Sequence, residues 1–319
     1  MTSLAAAYRR RGADPPFGDP GRDHGAGMEG YYWRIVDAAQ GRVLVVLCGV
    51  CRGPAGRWAL VALAAHPGAL VRHAIAQQAA GDPHRFGVTA AGILEGSLER
   101  LSLRLDEDHW IDAAVAPVRP WPRRALGALG PAHLVPGLAQ YWHPVLLDAE
   151  VRGEACLAGR RLRLDGARAY AEKNWGPGFA GRWWWGQAGA FPDGDLGVAF
   201  AGGRVPLLGA HPAPTAAVVR LGDRVIALRP PLARTRVSAG DLGWRVTMRS
   251  PLHRLQVEGE PGGHAPHLLP VPEPGSPRFE LRSQQVLAGE IMLRLSRGRR
   301  TIIDARSPLA GLELGSLPA

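Results

Sequence analysis

Short alternating segments separated by turn residues constrain the fold of this chain most strongly. The 319 residues include 42 glycines and 28 prolines, which interrupt the sequence too often for long helices. Most intervening segments alternate apolar and polar residues, as strands with one buried face do. They are LERLSLRL (98–105), ACLAGRRLRLDG (155–166), TAAVVRLGDRVIALRP (215–230), GWRVTMRS (243–250), HRLQVEGE (253–260) and EIMLRLSRG (290–298). The pattern predicts an all-β protein of antiparallel sheets or barrels.

Three segments refine this prediction. RLGDRV at 220–225 is typical of a β-hairpin with a Gly-Asp turn. PGALVRHAIAQQAAG at 67–81 is the one good helical candidate, because its leucine, isoleucine and alanines form one apolar stripe. The proline-rich stretch 261–280 predicts a long loop. We therefore expect strands throughout, with a minor helix.

The length favours two domains. We place the boundary near residue 150, where YWHPVLLDAEVRGEACLAG joins two strand-rich runs, so that the domains are 28–150 and 151–319. Residues 1–27 are expected to form a flexible tail. They lack the charged end, apolar centre and cleavage site of a secretory signal, which predicts a cytoplasmic protein.

The charge limits the class of partner. The formal charge of +10 would suit nucleic acid, but the arginines are scattered singly and form no tract longer than the three at 9–11. We therefore expect no nucleic-acid partner. A basic surface with aromatic residues could lie against an anionic membrane. No apolar run approaches the roughly 20 residues that span a bilayer, so any such contact is expected to be peripheral.

Cys48 and Cys51 form the only C-x-x-C pair among three cysteines. They lie in RVLVVLCGVCRG, which is typical of a strand, and no second pair of cysteines or histidines completes a zinc site. We interpret them as two thiols of a core strand. The sequence predicts no metal site.

The stretch YAEKNWGPGFAGRWWWGQ, residues 170–187, contains the only lysine and the only asparagine of the chain, Lys173 and Asn174. The abundance of Ala, Gly, Pro and Arg indicates a GC-rich coding bias, under which Lys and Asn are replaced wherever another residue serves. A lysine that persists indicates a site that needs a small ammonium group, since Arg is larger and planar.

Two strands joined by the turn GPGFAG account for this stretch, with strands expected at 170–175 and 183–188. Alternation puts Tyr170, Glu172 and Asn174 on one face of the first strand, with Ala171, Lys173 and Trp175 on the other. On the second strand it groups Trp183, Trp185 and Gln187, with Trp184 on the opposite face. Several tryptophans beside a carboxyl are typical of a small-molecule pocket, in which the carboxyl can act as an acid. The alternative is that the tryptophans are core and the charges face outward.

The same stretch resembles the signature of the tocopherol cyclase family, Y-x-E-K-[ND]-W-G followed by W-x-W-x-Q. Four further segments agree in the family's order: EGYYWRI (29–35), RPWP (119–122), YWHPVLLDAEVRGE (141–154) and SPLAGLELG (307–315). The resemblance runs from about Glu29 to Gly315. One departure is that the family often continues W-x-W-x-Q with Cys or Ser and then Asn, where this chain has only Ala and Gly.

The resemblance implies a fold of two lipocalin-like antiparallel β-barrel domains, similar to that of carotenoid hydratases and some pericyclic cyclases. It also implies cofactor-free closure of a chroman ring on a prenylated hydroquinone, in which an alkene is protonated and the phenolic oxygen captures the tertiary cation. The positions that match the motif are Tyr170, Glu172, Lys173, Asn174, Trp175, Trp183, Trp185 and Gln187, with Tyr141 and His143 in a flanking segment.

These implications give a hypothesis in which each residue has a role. Glu172 donates the proton or orients the donor, and Lys173 or His143 favours the phenolate or tunes the acid. The amides of Asn174 and Gln187 orient the substrate hydroxyl. The aromatic residues bind the prenylated or polyene ligand and stabilise a carbocation through their ring faces; they are Tyr141, Tyr170, Trp175, Trp183 and Trp185. Two alternatives remain open: a non-catalytic carrier of a hydrophobic ligand, and a hydratase of a carotenoid-type alkene.

Overall fold

The structure is a computed structural model that describes residues 3–15, 18–54, 56–122, 126–204, 212–240 and 243–316. Its contacts divide the chain into two units. Unit 1 comprises Met1–Gly178 and Leu269–Leu281, and unit 2 comprises Phe179–Leu268 and Arg282–Ala319. The helical elements of the described residues are α1 (Ser3–Arg10) and a 3₁₀ helix at Gly130–Leu134. All other regular elements there are strands.

The first sheet consists of strands β1 to β12. Their bounds are β1 Met28–Asp37, β2 Arg42–Gly53, β3 Gly56–His66, β4 Leu70–Ala76, β5 Ala79–Gly81, β6 Gly87–Ala90, β7 Leu94–Ser97, β8 Arg100–Arg104, β9 His109–Pro120, β10 Tyr141–Leu157, β11 Arg160–Arg163 and β12 Arg168–Gly176. The spatial order is β4-β3-β2-β1-β12-β10-β9-β8-β7-β6-β5, and β11 pairs with β10. The edge strands β4 and β5 are separated by two residues in the chain, so the sheet must curl until its two edges are close.

The second sheet follows the same plan. Its strands are β13 Arg182–Ala188, β14 Leu196–Arg204, β15 Thr215–Leu221, β16 Arg224–Leu228, β17 Arg234–Gly240, β18 Gly243–Arg249, β19 His253–Glu260, β20 His267–Glu273, β21 Arg278–Arg297 and β22 Arg300–Ser316. The order is β16-β15-β14-β13-β22-β21-β19-β18-β17, and β20 pairs with β21. Here too the edge strands β16 and β17 are consecutive in the chain. Each sheet is thus barrel-like, with its first strand paired to its last.

Each barrel-like sheet has a core of buried apolar side chains on its inner face. The core of unit 1 includes Trp33, Ala169 and Ala171. The core of unit 2 includes Trp184 and Leu312. Since side chains alternate along a strand, these residues show which face of β12, β13 and β22 points inward.

The predicted all-β, two-barrel lipocalin-like fold is confirmed. Strands β12 and β13 contain the predicted segments 170–175 and 183–188, and the 220–225 segment forms the β15–β16 hairpin. Strands β12 and β13 do not form one hairpin with each other, however. Strand β12 pairs with β1 and β10, whereas β13 pairs with β14 and β22.

Three local predictions are wrong, and in two of them the cause is strand pairing. The predicted helix at 67–81 is instead β4 and β5, because β4 satisfies the backbone groups along one edge of β3. The predicted loop at 261–280 contains β20 and the start of β21. The boundary predicted near residue 150 lies inside β10, which pairs with β9 along much of its length, and the contacts place the division after Gly178.

The predicted flexible tail is a fourth correction. Arg9, Asp14 and His24 are 3%, 4% and 3% exposed. These residues, which lie between the start of α1 and Ala26, are therefore packed within unit 1. The composition of this part of the chain, rich in Gly, Pro and charge, resembles that of a tail, but Arg9, Asp14 and Asp23 form ion pairs inside the unit, as described below.

Candidate functional site

Strand β12 presents two chemically different faces. In the pairing with β1 and β10, Glu172 lies opposite Tyr32 and Pro144, and Lys173 lies opposite Tyr31 and His143. Lys173 continues the inward face marked by Ala169 and Ala171, and Glu172 points to the opposite side of the sheet. The predicted alternation is confirmed, and it separates the two adjacent charges.

The outward face carries what we term the Glu172 cluster, consisting of Glu172, Trp142 and Tyr170. Trp142 Nε1 donates a hydrogen bond of 2.8 Å to Glu172 Oε2, and the Tyr170 hydroxyl donates one of 2.6 Å to the same oxygen. All three side chains are buried. Since these two donors occupy the lone pairs of Oε2, a proton held by this carboxyl resides on Oε1.

The electrostatics around the Glu172 cluster favour a neutral tyrosine beside a cation. Burial raises the pKa of Tyr170 well above its usual range, and the charge of Glu172 raises it further. Arg34, 1% exposed, lies opposite Tyr170 on β1. Burial lowers the pKa of Arg34 to about 10, against the opposing influence of Tyr32, so Arg34 stays charged at neutral pH.

Asn174 also lies on the outward face of β12, two residues after Glu172. It lies opposite Gly30, where an added Cβ would come within 2.5 Å of Asn174 Oδ1, so only glycine leaves room for the amide. Among the described residues, Asn174 Oδ1 is buried without a hydrogen-bond partner. An unsatisfied buried acceptor suits a ligand hydroxyl, because leaving it unpaired is costly.

The inward face carries the Lys173 network. Lys173 Nζ lies 2.7 Å from Glu29 Oε2, 2.6 Å from the carbonyl oxygen of Arg22 and 3.2 Å from His24 Nδ1. An ammonium group has three N–H donors, so all three are used. The side chain is 0% exposed. Because His24 Nδ1 accepts this hydrogen bond, its Nε2 carries the proton and lies 3.7 Å from Asp14 Oδ1.

Burial and pairing act in opposite directions on the charged groups of the Lys173 network. Burial raises the pKa of the Glu29 carboxyl and lowers that of Lys173, while the attraction between the two charges opposes both shifts. Glu29 Oε1 also accepts the backbone N–H groups of His24 and Ala26, at 3.0 and 3.1 Å. Burial, followed by the charge of Lys173, lowers the pKa of His24 well below its usual range, so His24 is neutral.

Two more ion pairs hold the amino-terminal segment in place. Arg9 pairs with Asp14, and both side chains are buried. Arg57 on β3 donates two hydrogen bonds to Asp23, at 3.0 and 2.8 Å. The first pair lies within the segment, whereas Arg57 and Lys173 connect residues 22–24 to the sheet of unit 1.

Trp175 and Tyr141 belong to the inward face and pack against each other. The Trp175 ring lies between His24 and Tyr141, with ring centroids 4.2 and 5.5 Å away, and its indole N–H donates to the carbonyl oxygen of Gly12 at 2.7 Å. Both faces of Trp175 are therefore covered by the protein's own side chains.

His143 also lies on the inward face of the sheet, away from Glu172. Its Nδ1 accepts the backbone N–H of Ala128 at 3.2 Å, and its ring packs against Trp121. Burial, followed by the charges of His133 and Lys173, lowers the pKa of His143 well below its usual range. His143 is thus a neutral, buried imidazole.

The remaining predicted residues belong to unit 2. Trp183, Trp185 and Gln187 share the outward face of β13, and Trp184 packs in the core, as alternation predicts. Trp183 Nε1 donates to Glu313 Oε1 at 2.7 Å. The ten predicted residues are thus divided, with seven in unit 1 and three in unit 2.

Sequence reasoning missed three residues that these clusters depend on: Trp142, Glu29 and Glu313. Each lies in one of the flanking segments, YWHPVLLDAEVRGE, EGYYWRI and SPLAGLELG, so a signal was present. Their partners could not be identified from sequence, because the pairings join β10 to β12, β1 to β12, and β22 to β13.

The two cysteines of the C-x-x-C pair are buried core thiols, as interpreted from the sequence. Burial raises the pKa of Cys51 to about 12 and that of Cys48 further, which disfavours the reactive thiolate. Within the described ranges, no group of three or more His, Cys, Asp or Glu side chains could hold a metal ion. The described residues also include no helix with the length and hydrophobicity needed to cross a bilayer.

Comparison with known sequences supports the resemblance drawn from the motifs. The sequence profile described as tocopherol cyclase-like matches residues 85–316. The chloroplastic tocopherol cyclase of Zea mays is 27% identical over 173 residues. That match covers 50% of this chain and 36% of the maize protein, so it spans well under half of the relative's length.

Solved structures show the same fold at low sequence identity. Kievitone hydratase from Nectria haematococca has a TM-score of 0.52 and 11% identity, with 96% of this chain and 91% of that chain covered. CghA, solved with Sch210972, has a TM-score of 0.59 and 12% identity, with 91% and 88% covered. At these identities the likeness concerns the fold alone.

Proposed function

The chain belongs to the tocopherol cyclase-like family, and we propose that it catalyses the acid-triggered cyclisation or isomerisation of a prenylated quinol or a similar hydrophobic isoprenoid. The observation that supports this proposal most is the Glu172 cluster. A buried carboxyl whose Oε2 accepts both Trp142 and Tyr170 has a fixed orientation, and the acidic proton is confined to Oε1.

The proposed reaction needs one proton that is given and then returned. Glu172 Oε1 protonates the less substituted carbon of a side-chain alkene, which leaves a tertiary cation and a carboxylate. The phenolic oxygen forms the C–O bond to that cation, and the phenolic proton returns to Glu172. The product is an isomer of the substrate, so no cofactor is required.

The neighbours of Glu172 act at different points of this cycle. Trp142 and Tyr170 hold the carboxylate by their hydrogen bonds after proton release. Asn174 Oδ1 accepts the substrate hydroxyl. Lys173 does not act on the substrate in this proposal, because its three donors are used on the inward face. It positions β12 instead.

The first prediction concerns Glu172→Gln, which keeps the shape of the side chain and removes the acid. Turnover of 2-geranylhydroquinone should fall at least about a hundredfold, because general acid catalysis contributes roughly that much or more. Ligand binding, measured by quenching of tryptophan fluorescence, should remain. The matched control is Glu150→Gln, an exposed carboxylate on β10 that pairs with Arg168. It should leave turnover unchanged.

The same assay separates the alternatives. If the protein is a carrier, 2-geranylhydroquinone binds and is recovered unchanged. If it is an alkene hydratase, the product gains the mass of one water. A Glu172→Gln protein that turns over the hydroquinone at the parental rate would remove Glu172 from the mechanism.

A further inference from the structure

Unit 2 contains a second buried arrangement of a carboxyl with a tryptophan, at the place where its sheet closes. Glu313 lies on β22, the last strand, which pairs with the first strand β13. Trp183 Nε1 donates to Glu313 Oε1 at 2.7 Å, and Gln285 Nε2 donates to Oε2 at 3.1 Å. Glu172 likewise lies on the last strand of its sheet, paired with the first.

The backbone around Glu313 is adapted to this arrangement. Trp185 and Gln285 are the direct neighbours of Glu313 on β13 and β21, so three strands contribute to one row. Two positions further along β22 lies Gly315, where an added Cβ would come within 1.9 Å of the Trp183 ring. Only glycine there allows the indole to lie across β22 and reach the carboxyl.

Glu313 is the least buried member of this row. Trp183 and Trp185 are each 5% exposed and Gln285 is fully buried, whereas Glu313 is partly exposed. The carboxyl has four lone pairs, and Trp183, Gln285 and Ser283 donate to three of them, which leaves one. The geometry therefore leaves a position for an O–H donor beside two indole rings.

We propose that Glu313, held by Trp183 and Gln285, is a second hydroxyl-binding site of this chain and takes the phenolic hydroxyl of a prenylated quinol. The class of ligand rests on the proposed function above. The indoles of Trp183 and Trp185 form the apolar side of the site, and the carboxyl selects for the hydroxyl.

The electrostatics of Glu313 suit this role. Burial raises its pKa, and hydrogen bonding from Trp183 and Ser283 opposes the shift. As a carboxylate it accepts the phenolic O–H, and as an acid it donates to the phenolic oxygen. A phenolic hydroxyl therefore binds to Glu313 whether the carboxyl is ionised or protonated, but an ether oxygen accepts a hydrogen bond only from the protonated carboxyl.

The test compares 2-geranylhydroquinone with its dimethyl ether in calorimetric binding titrations at pH 8 under argon. The parental protein should prefer the hydroquinone. Glu313→Gln should bind the hydroquinone about tenfold more weakly, the usual loss for a hydrogen bond to a charged group. Its affinity for the dimethyl ether should not change. Asp304→Asn, an exposed carboxylate on the same strand that pairs with Arg294, is the matched control and should bind both ligands as the parent does.

Trp183→Phe provides a second variant that keeps an aromatic ring and removes only the indole donor. It should lose part of the preference for the hydroquinone, and it keeps the proposal testable if Glu313→Gln fails to fold. Equal binding of the two ligands by the parental protein, or an unchanged preference in both variants, would overturn the inference. The two proposals fail separately: a parent that selects the hydroquinone but never cyclises it contradicts only the proposed function.

Discussion

Lys173 illustrates how a residue can be conspicuous in a sequence for a reason that the sequence does not reveal. It is the only lysine of the chain, and its ammonium meets three acceptors from β1 and the amino-terminal segment at 2.6 to 3.2 Å. A guanidinium is planar and larger, and cannot converge on three such acceptors in a fully buried space. The need for a small cation was predictable. Alternation also predicted that this cation faces away from Glu172. Its role in packing was not predictable, because its partners lie far away in the chain.

We predict that Lys173→Arg destabilises the protein by about 1–3 kcal/mol, because the larger group overpacks the site. Lys173→Met should cost about 3–5 kcal/mol, because it leaves Glu29 buried without its cation. Adding Glu29→Gln to Lys173→Met should restore part of that loss. Urea unfolding of the two single variants and the double variant measures these effects.

Arg245→Lys on β18 is the matched control for the Lys173 variants, since Arg245 is exposed and pairs with Glu258. Its effect should stay within about 0.5 kcal/mol, as for other surface substitutions. A Lys173→Arg protein as stable as the parent would contradict the packing account.

At the scale of elements, periodicity identified the strands that carry the candidate site, since β12 and β13 contain the predicted segments. It failed at β4, whose apolar residues have the spacing of a helix. The segment forms a strand instead, because its backbone hydrogen-bonds to β3. Periodicity failed again in the amino-terminal segment, where Arg9 pairs with Asp14 and Asp23 pairs with Arg57 of β3. The partner of Asp23, Arg57, is distant in the sequence and cannot be identified from composition. Composition alone therefore predicts that such charged residues are exposed to solvent.

The amino-terminal segment gives a prediction about pH. Burial raises the pKa of Asp23, but the hydrogen bonds from Arg57 outweigh it, so the pKa is lowered overall. A lowered folded-state pKa adds stability that is present above the unfolded pKa of about 3.9 and is lost as the pH falls below it. Asp23→Asn should therefore cost about 2 kcal/mol at pH 7 and progressively less below about pH 4.

Unfolding in urea between pH 3 and pH 8 measures this difference. Asp112→Asn is the control, because Asp112 forms an exposed pair with Arg100 at 3.0 Å. It should cost at most about 1 kcal/mol. A cost of Asp23→Asn that stays constant down to pH 3 would show that the Asp23–Arg57 pair does not act through its charge.

At the scale of the whole molecule, both units follow one plan: an antiparallel sheet with consecutive edge strands, closed where the first and last strands pair. Each closing pair of strands carries a carboxyl that accepts an indole N–H, although the carboxyls and their donors lie in different sequence segments. The likeness of the two halves in strand content was visible in the sequence. The shared topology was not, because strand order depends on pairing between distant segments.

The central claim is that the chain adds a proton to an alkene and returns an isomer. The most direct measurement is the mass spectrum of the product formed from 2-geranylhydroquinone in D₂O. An exchangeable acid such as Glu172 transfers deuterium to carbon, so the cyclised product should carry one deuterium that back-exchange into H₂O does not remove. Hydroquinone recovered without carbon-bound deuterium, or a product heavier by one molecule of D₂O, would contradict the claim.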